Sequence, residues 1–378
     1  MRYFFIFGRE PELSRAELIS KVQIEKINLT VFDEGADFVI ADAADGLNLE
    51  KFISELGGTI KIGTVQQKIT KLGAETLFNL IQPRQEKIKF GISAYGLNLD
   101  IDELGRKIKK LLSCAGAKSR FVASKKYPLS SVIVQKELLK NGLELALLKT
   151  KNQLYVGQTL AVQPFEQFSA LDYGRPARDA RAGMLPPKLA TIMLNLSEAQ
   201  KNEILLDPFC GSGTVLQQAL LLGYQKVIGA DASLKAVQST RKNIEWLSAR
   251  LRRQLTCEVR QTKIENLTAI VAAHSVDAVV TEPYLGPTLS GAEDEKQIKG
   301  IIAELERFYQ TGFDALFNIL RPNGTLVIVV PELPCAKRTY CFSVEPLITD
   351  KFKIIGQWHY HRPDQFVARQ IFKMIKIK

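Results

Sequence analysis

The chain opens on RYFFIF, an apolar run that reads as a buried strand, and passes into EPELSRAELISKV, where Ala16, Leu18, Ile19 and Val22 form one apolar helical stripe. Ser14 followed by Glu17 has the spacing of a capping box and predicts the start of that helix. LTVFDEG and DFVIADA supply two short strands, and a helix near 47–56 leads to GGTIKIG. These elements predict a small α+β domain over residues 1–59.

Residues 60–157 repeat the mixture. TIKIGTVQQKI, KIKFGISAYG, SRFVAS and LELALLKT read as strands, and DIDELGRKIKKLLSCAG and SSVIVQKELLKNG read as helices with basic exposed faces. Residues 158–182 hold two prolines, a glycine and clustered arginines with little periodicity, which predicts a linker.

From residue 183 to 378 strands and helices alternate. EILLDPF, KVIGAD, CEVRQTK, DAVVTEP, GTLVIVV, FKIIGQWHYH and VARQIFKMIKI are strands. GSGTVLQQALLLG is a helix ended by Gly223, SLKAVQSTRKNIEWL places Ala236, Val237, Thr240, Ile244 and Leu247 on one face, and a long helix spans about 295–320. The alternation predicts an α/β fold with a doubly wound, mostly parallel sheet, whose ligand lies at the carboxyl ends of the strands.

Composition excludes several classes. No stretch approaches the ~20 apolar residues needed to span a bilayer, and the first segment has neither a basic leader nor a cleavage site, so a cytoplasmic protein is expected. Five scattered cysteines form no close pair, and the H-x-H of His359 and His361 has no third partner in sequence, so no metal is expected. The net charge of +11 is uneven: residues 101–150 hold eleven Lys or Arg against four Asp or Glu. Lys109, Lys110, Arg120, Lys125 and Lys126 are therefore candidates for a polyanion surface, nucleic acid above all.

The most informative segment is LLDPFCGSGTVLQQALLLGYQKVIGAD. A strand runs into Asp207, a turn carries Gly211 and Gly213, and the next strand ends at Asp231, where an acid can accept ribose hydroxyls. There is no third glycine for a dinucleotide fingerprint and no lysine for a phosphate loop. Asp207 directly before the turn would repel a pyrophosphate and suits a cationic ligand end, such as the ammonium of S-adenosylmethionine.

DPFCGSGT resembles the first motif of methyltransferases that act on exocyclic amino groups of nucleic-acid bases. GRPARDARAGMLPPKLATIMLNL, LSSVIVQKELL and YVGQTLAVQPF narrow the resemblance to the THUMP-domain tRNA guanine-N2 methyltransferases. That family implies a ferredoxin-like α+β domain at 1–59, a THUMP RNA-binding domain at 60–157, a linker at 158–182 and a Rossmann-like methyltransferase domain with a seven-stranded sheet at 183–378. It also implies a cofactor site on Asp207, Phe209, Gly211, Gly213, Thr214 and Asp231. In the adenine-binding region, RQTKIENL, Thr262 or Lys263 stands where the family often has an acid, with Glu265 nearby.

DAVVTEPYLG, at the end of a later strand, aligns with the family's catalytic motif of an acid or Asn, two prolines and an aromatic. Guanine N2 is a poor nucleophile while its lone pair is delocalised, so a carboxylate and a carbonyl that accept from its NH2 favour pyramidalisation and alignment. By the resemblance Glu282 and the Pro283 carbonyl supply these acceptors. Tyr284, displaced by one residue, gives a stacking face, with Phe209 or Tyr173 as alternatives. Arg175, Arg178 and Arg181 are candidates for RNA, phosphate or the cofactor carboxylate. The expected activity is S-adenosylmethionine-dependent methylation of a tRNA guanosine at N2, at position 10. The alternatives are a DNA adenine-N6 or cytosine-N4 methyltransferase and a tRNA-binding protein whose catalytic motif has decayed.

Overall fold

The computed structural model describes residues 1–44, 46–81, 87–178, 184–289, 291–335, 338–362 and 366–377. The chain divides into two compact units, residues 1–18 with 25–167 and residues 19–24 with 168–378.

From residue 2 to residue 69, β1 (Arg2–Phe7), α1 (Pro11–Ile24), β2 (Leu29–Glu34), β3 (Phe38–Ala43), α2 (Leu49–Ser54) and β4 (Thr59–Ile69) follow one another as βαββαβ. The strands lie in the antiparallel order β2-β3-β1-β4. That is the split βαβ arrangement of ferredoxin-like folds. Then come α3 (Ala74–Ile81), β5 (Lys87–Tyr95), α4 (Ile101–Cys114), β6 (Lys118–Phe121) and α5 (Ser131–Ile133), which a π turn continues to Leu138. The unit closes with β7 (Gly142–Lys149) and β8 (Leu154–Val162). β4 pairs with both β1 and β8, so one eight-stranded sheet runs unbroken across the 59/60 boundary.

Two sequence expectations are corrected here. α1 starts at Pro11, a residue suited to the first helical position, so Ser14 lies inside the helix and its hydroxyl donates to the Glu10 carbonyl at 2.7 Å. Glu17 caps no helix; its buried carboxylate accepts from the amides of Gly57 and Gly58 at 2.7 and 2.8 Å. The segment from 158, expected to be a linker, is ordered: it completes β8 and then forms α6 (Phe165–Tyr173). Its apolar residues are spent on strand pairing and helix packing, which masks their periodicity.

A polar network occupies the core of this unit. Lys61 Nζ lies 2.5 Å from Glu144 Oε1 and donates to the Leu129 carbonyl at 2.7 Å. The same carboxylate accepts from Ser93 and Thr159 at 2.5 and 2.6 Å. Lys61 and Glu144 are fully buried, so each charge depends on the other and on these bonds.

The second unit contains α7 (Pro187–Leu196), β9 (Ile204–Asp207), α8 (Thr214–Leu221), β10 (Lys226–Asp231), α9 (Leu234–Leu251), β11 (Glu258–Gln261) and β12 (Val276–Thr281). It continues with α10 (Glu295–Ile319), β13 (Leu320–Cys335), β14 (Arg338–Tyr340), α11 (Glu345–Ile348), β15 (Phe352–Tyr360) and β16 (Ala368–Lys376). Seven strands form the order β11-β10-β9-β12-β13-β16-β15, with β14 paired to β13 off this path. The first five are parallel; β16 and β15 close the sheet as an antiparallel hairpin. The α/β, Rossmann-like expectation holds for this unit.

Strand order reverses between β9 and β12, which opens a crevice at their carboxyl ends. Tyr309, Phe313, Leu316 and Ile319 of α10 are buried in one apolar cluster with Val279, Leu326 and Ile328 of the sheet. Each such side chain contributes about 1.5–3 kcal/mol when fully buried, which makes the β12–β13 end of the crevice a rigid wall.

Candidate active site

The crevice is built around the turn after β9. Asp207 is buried at the strand end, and its Oδ1 accepts from the Thr281 hydroxyl at 2.6 Å and the Phe209 amide at 3.2 Å. Burial raises its carboxyl from the ordinary aspartate range to about 7; the two hydrogen bonds oppose that rise, and the charges of Asp231 and Glu282 add to it.

The turn needs its glycines. Gly211 and Gly213 have φ of +53° and +83°, and a Cβ on Gly213 would stand 2.8 Å from Thr240 Cγ2. Thr240 in turn donates to the Gly211 carbonyl at 2.8 Å, and Asn243 donates to the Ser212 carbonyl at 2.8 Å, so α9 fixes the turn from behind. The position where a dinucleotide fold has its third glycine is Leu216. Close packing is achieved from the other side, because Leu216 Cδ1 would lie 2.4 Å from a Cβ on Gly229 of β10. The small residue has moved from the helix to the strand.

Asp231 ends β10 with both carboxylate oxygens engaged, one by the Gly211 amide at 3.0 Å and the other by the Ser233 amide at 2.8 Å. A carboxylate has roughly four lone-pair sites, so capacity for two further donors remains. Asp207, Phe209, Gly211, Thr214 and Glu282 line one cavity. Gly213 and Asp231 adjoin it through the turn.

Arg175 is 3% exposed; it donates to the Thr214 hydroxyl at 2.6 Å and reaches Met184 Sδ at 3.1 Å. Its guanidinium therefore backs the start of α8 instead of facing solvent. Arg178 is exposed and stands 5.3 Å from the centre of the exposed Tyr173 ring. Arg181 lies outside the described residues. In the first unit Lys109, Lys110, Arg120, Lys125 and Lys126 are all exposed, and Lys110 shares a cleft with Lys71 and Lys107 between α3 and α4.

Beyond β12, Pro283 is buried and Tyr284 is 55% exposed. The Tyr284 ring meets Phe308 edge-on at 6.3 Å, and Phe308 lies 5.5 Å from Phe209, so three aromatic rings run in a row beside the cavity. The Tyr309 hydroxyl is within 3.3 Å of the Tyr284 carbonyl and 3.0 Å of the Val329 carbonyl. In the adenine-side region Thr262 Oγ1 donates to the Lys263 carbonyl, while Lys263 and Glu265 are exposed.

Three residues of this site were missed from sequence: Thr281, Phe308 and Arg369. Thr281 directly precedes the motif and offered a local signal. Phe308 and Arg369 sit in a helix and a strand that the chain reaches later, and only folding brings them in. Arg369 Nε donates to Glu282 Oε2 at 2.6 Å and Nη2 lies 3.5 Å from Oε1. Among the described residues no helix is long and apolar enough to cross a membrane, and no three His, Cys, Asp or Glu side chains gather as a metal site.

The model of the UPF0020 family, described as an RMKL-like methyltransferase domain, matches residues 175–345. A tRNA (guanine(10)-N2)-dimethyltransferase of Methanothermobacter thermautotrophicus is 28% identical over 172 residues, 46% of this chain and 44% of that protein. A probable tRNA (guanine(10)-N2)-dimethyltransferase of Methanothermococcus thermolithotrophicus is 31% identical over 146 residues, 37% of this chain and 77% of the relative. The chain spans just under half the length of the first two curated relatives it matches. The crystal structure of TrmN from Thermus thermophilus superimposes over the full length of both chains with a TM-score of 0.60 at 13% identity, a likeness of fold. By these matches the chain belongs to the methyltransferase family that includes the archaeal tRNA (guanine(10)-N2)-dimethyltransferases.

Proposed function

We propose that this protein transfers a methyl group from S-adenosylmethionine to the exocyclic N2 of a guanosine in tRNA, at position 10 as the names of its relatives suggest. The observation that carries the reading is the single cavity shared by Asp207, the glycine turn and Glu282.

The residues fit the cofactor. Among the described residues, its chain neighbours aside, nothing stands within 4 Å of the Cβ position of Gly211, which leaves the turn open to a ligand. Asp231 keeps acceptor capacity for ribose hydroxyls, and Asp207 is placed for a cationic ligand end. When bound, S-adenosylmethionine supplies an electrophilic methyl on a sulfonium.

The remaining work falls to the chain's own side chains. Glu282 and the Pro283 carbonyl accept hydrogen bonds from the guanine NH2, which draws the lone pair out of the ring and aims it at the methyl. The proton lost from N2 passes to Glu282 or to water. Tyr284, with Phe308 and Phe209 behind it, offers a face for the base, at about 1–3 kcal/mol for a stacked base. The exposed lysines and arginine of the first unit hold the tRNA backbone, as expected for structured RNA read largely by shape.

Labelled S-adenosylmethionine and unmodified tRNA test the reading, with nucleoside analysis of the digest. N2-methylguanosine mapped to position 10, lost in Glu282→Ala, supports it. Methylated adenine or cytosine in DNA overturns the substrate, and a protein that binds no cofactor overturns the enzyme.

A further inference from the structure

We propose that Arg369 is a positioning residue of this reaction, acting through Glu282; the inference rests on the functional reading above. β12 and β16 flank β13, so their axes are about 10 Å apart, two strand spacings. Because β16 runs antiparallel to β13, its first residues lie at the same end of the sheet as the last residues of β12. Arg369, the second residue of β16, thereby reaches over β13 to Glu282.

The contact is buried, with side-chain exposures of 3% and 9%. Its short arm is Nε to Oε2, at 2.6 Å, and its second arm, Nη2 to Oε1, is 3.5 Å. Oε2 is thus held by the guanidinium, and Oε1 is the oxygen with capacity left for the guanine amine. The fork sets the plane of the carboxylate as well as its charge, which a lysine cannot do.

This pairing gives a reason for a glutamate at position 282. An aspartate would draw the carboxyl back by one C–C bond, about 1.5 Å, and carry it out of reach of Arg369. Glutamate and arginine form a matched pair, so the apparently conservative Glu282→Asp should impair the enzyme.

Among the described residues the charged and titratable groups around Glu282 are Asp207 from the β9 turn, Tyr309 from α10 and Arg369 from β16, with Asp231 acting on Asp207 and Tyr360 on Arg369. Loss of the guanidinium would leave Glu282 facing Asp207 without its counter-charge.

The test is kcat against pH at saturating cofactor for wild type, Arg369→Met, Arg369→Lys and Glu282→Asp, with cofactor affinity by calorimetry. Arg369→Met is expected to lower kcat about a hundredfold, the scale of a misplaced catalytic group, and to move the acid limb set by Asp207 to higher pH, because the charge of Glu282 on Asp207 is no longer balanced, while cofactor affinity stays close to wild type. Arg369→Lys keeps the charge and loses the fork, so kcat falls and the acid limb stays. A folded Arg369→Met with wild-type kcat and pH profile overturns the proposal; should that variant fail to fold, wild-type kcat in Arg369→Lys overturns it instead. A wild-type protein that binds cofactor poorly and methylates no tRNA overturns the functional reading itself, and this inference with it.

Discussion

Thr281 at the end of β12 donates a 2.6 Å hydrogen bond to Asp207 at the end of β9, joining two residues 74 positions apart. This bond closes the crevice at the switch point and lowers the proton affinity of a carboxyl that burial has raised to about 7. In the proposed function this carboxylate faces the cationic ligand end, so cofactor binding should weaken as pH falls through 7 and the group takes up a proton. Thr281→Val removes one of the opposing bonds and moves that weakening to higher pH. Calorimetry between pH 6 and 8, an interval of about one unit either side of that value, checks both proteins; identical curves would sink the assignment.

The same shift bears on stability. Unfolded aspartate titrates near ~3.9, so the folded protein holds this proton more tightly. The group's contribution to stability is then fully present below the unfolded value and is lost as pH rises through 7. Asp207→Asn should raise the Tm of ligand-free protein by about 2 °C or more at pH 8 and by less at pH 5, and it should abolish cofactor binding. An equal change at both pH values contradicts this sign.

Tyr284 presents more than half of its surface and leans on Phe308. Tyr284→Ala is expected to cost about 1–3 kcal/mol in kcat/KM for tRNA, with cofactor affinity unchanged, whereas Tyr284→Phe keeps the stacking face and most of the activity. Steady-state kinetics with both variants checks this. Full activity in Tyr284→Ala would transfer the stacking role to another ring.

Lys61 and Glu144 are a buried pair in the first unit. Glu144→Leu alone leaves the ammonium uncompensated and should destabilise by about 3–5 kcal/mol in urea unfolding. Lys61→Met combined with Glu144→Leu should recover most of that loss. A double variant as unstable as the single one would mean that the shape of the site matters more than its charge.

The exposed Lys109 and Lys110 supply a phosphate-facing surface in the proposed function. Alanine at both should weaken tRNA binding and reduce the slope of log K against log salt by about 1 to 2. Filter binding across salt concentrations measures it. An unchanged slope removes these two residues from the interface.

Much of this molecule is legible in local pattern. The β9 turn declares itself because its chemistry is contiguous: an acid, two positive-φ glycines and a helix start occur within eight residues, and Asp231 follows at a fixed distance. The alternation of strands and helices after residue 183 is equally visible, since each element must bury its own face. Within 158–182 the end of β8 and α6 leave no strong period, because their residues are divided between strand pairing and helix packing. Ser14 and Glu17 were misread because spacing alone cannot tell a cap from a buried acceptor; the Gly57 and Gly58 amides that claim Glu17 are 40 and 41 residues away.

The sequence by itself determined the parallel α/β half, the glycine turn after β9 and the identity of the motif acid, all of them properties of short stretches governed by backbone geometry and side-chain type. Tertiary structure decided what surrounds them. Gly229 takes the packing role of an absent glycine in α8, Phe308 backs Tyr284, and Arg369 takes hold of Glu282. Each is a contact between strands or helices whose neighbourhood exists only once the sheet order is set. The strand order β12-β13-β16, which no local pattern encodes, is what turned the motif acid into one half of an ion pair.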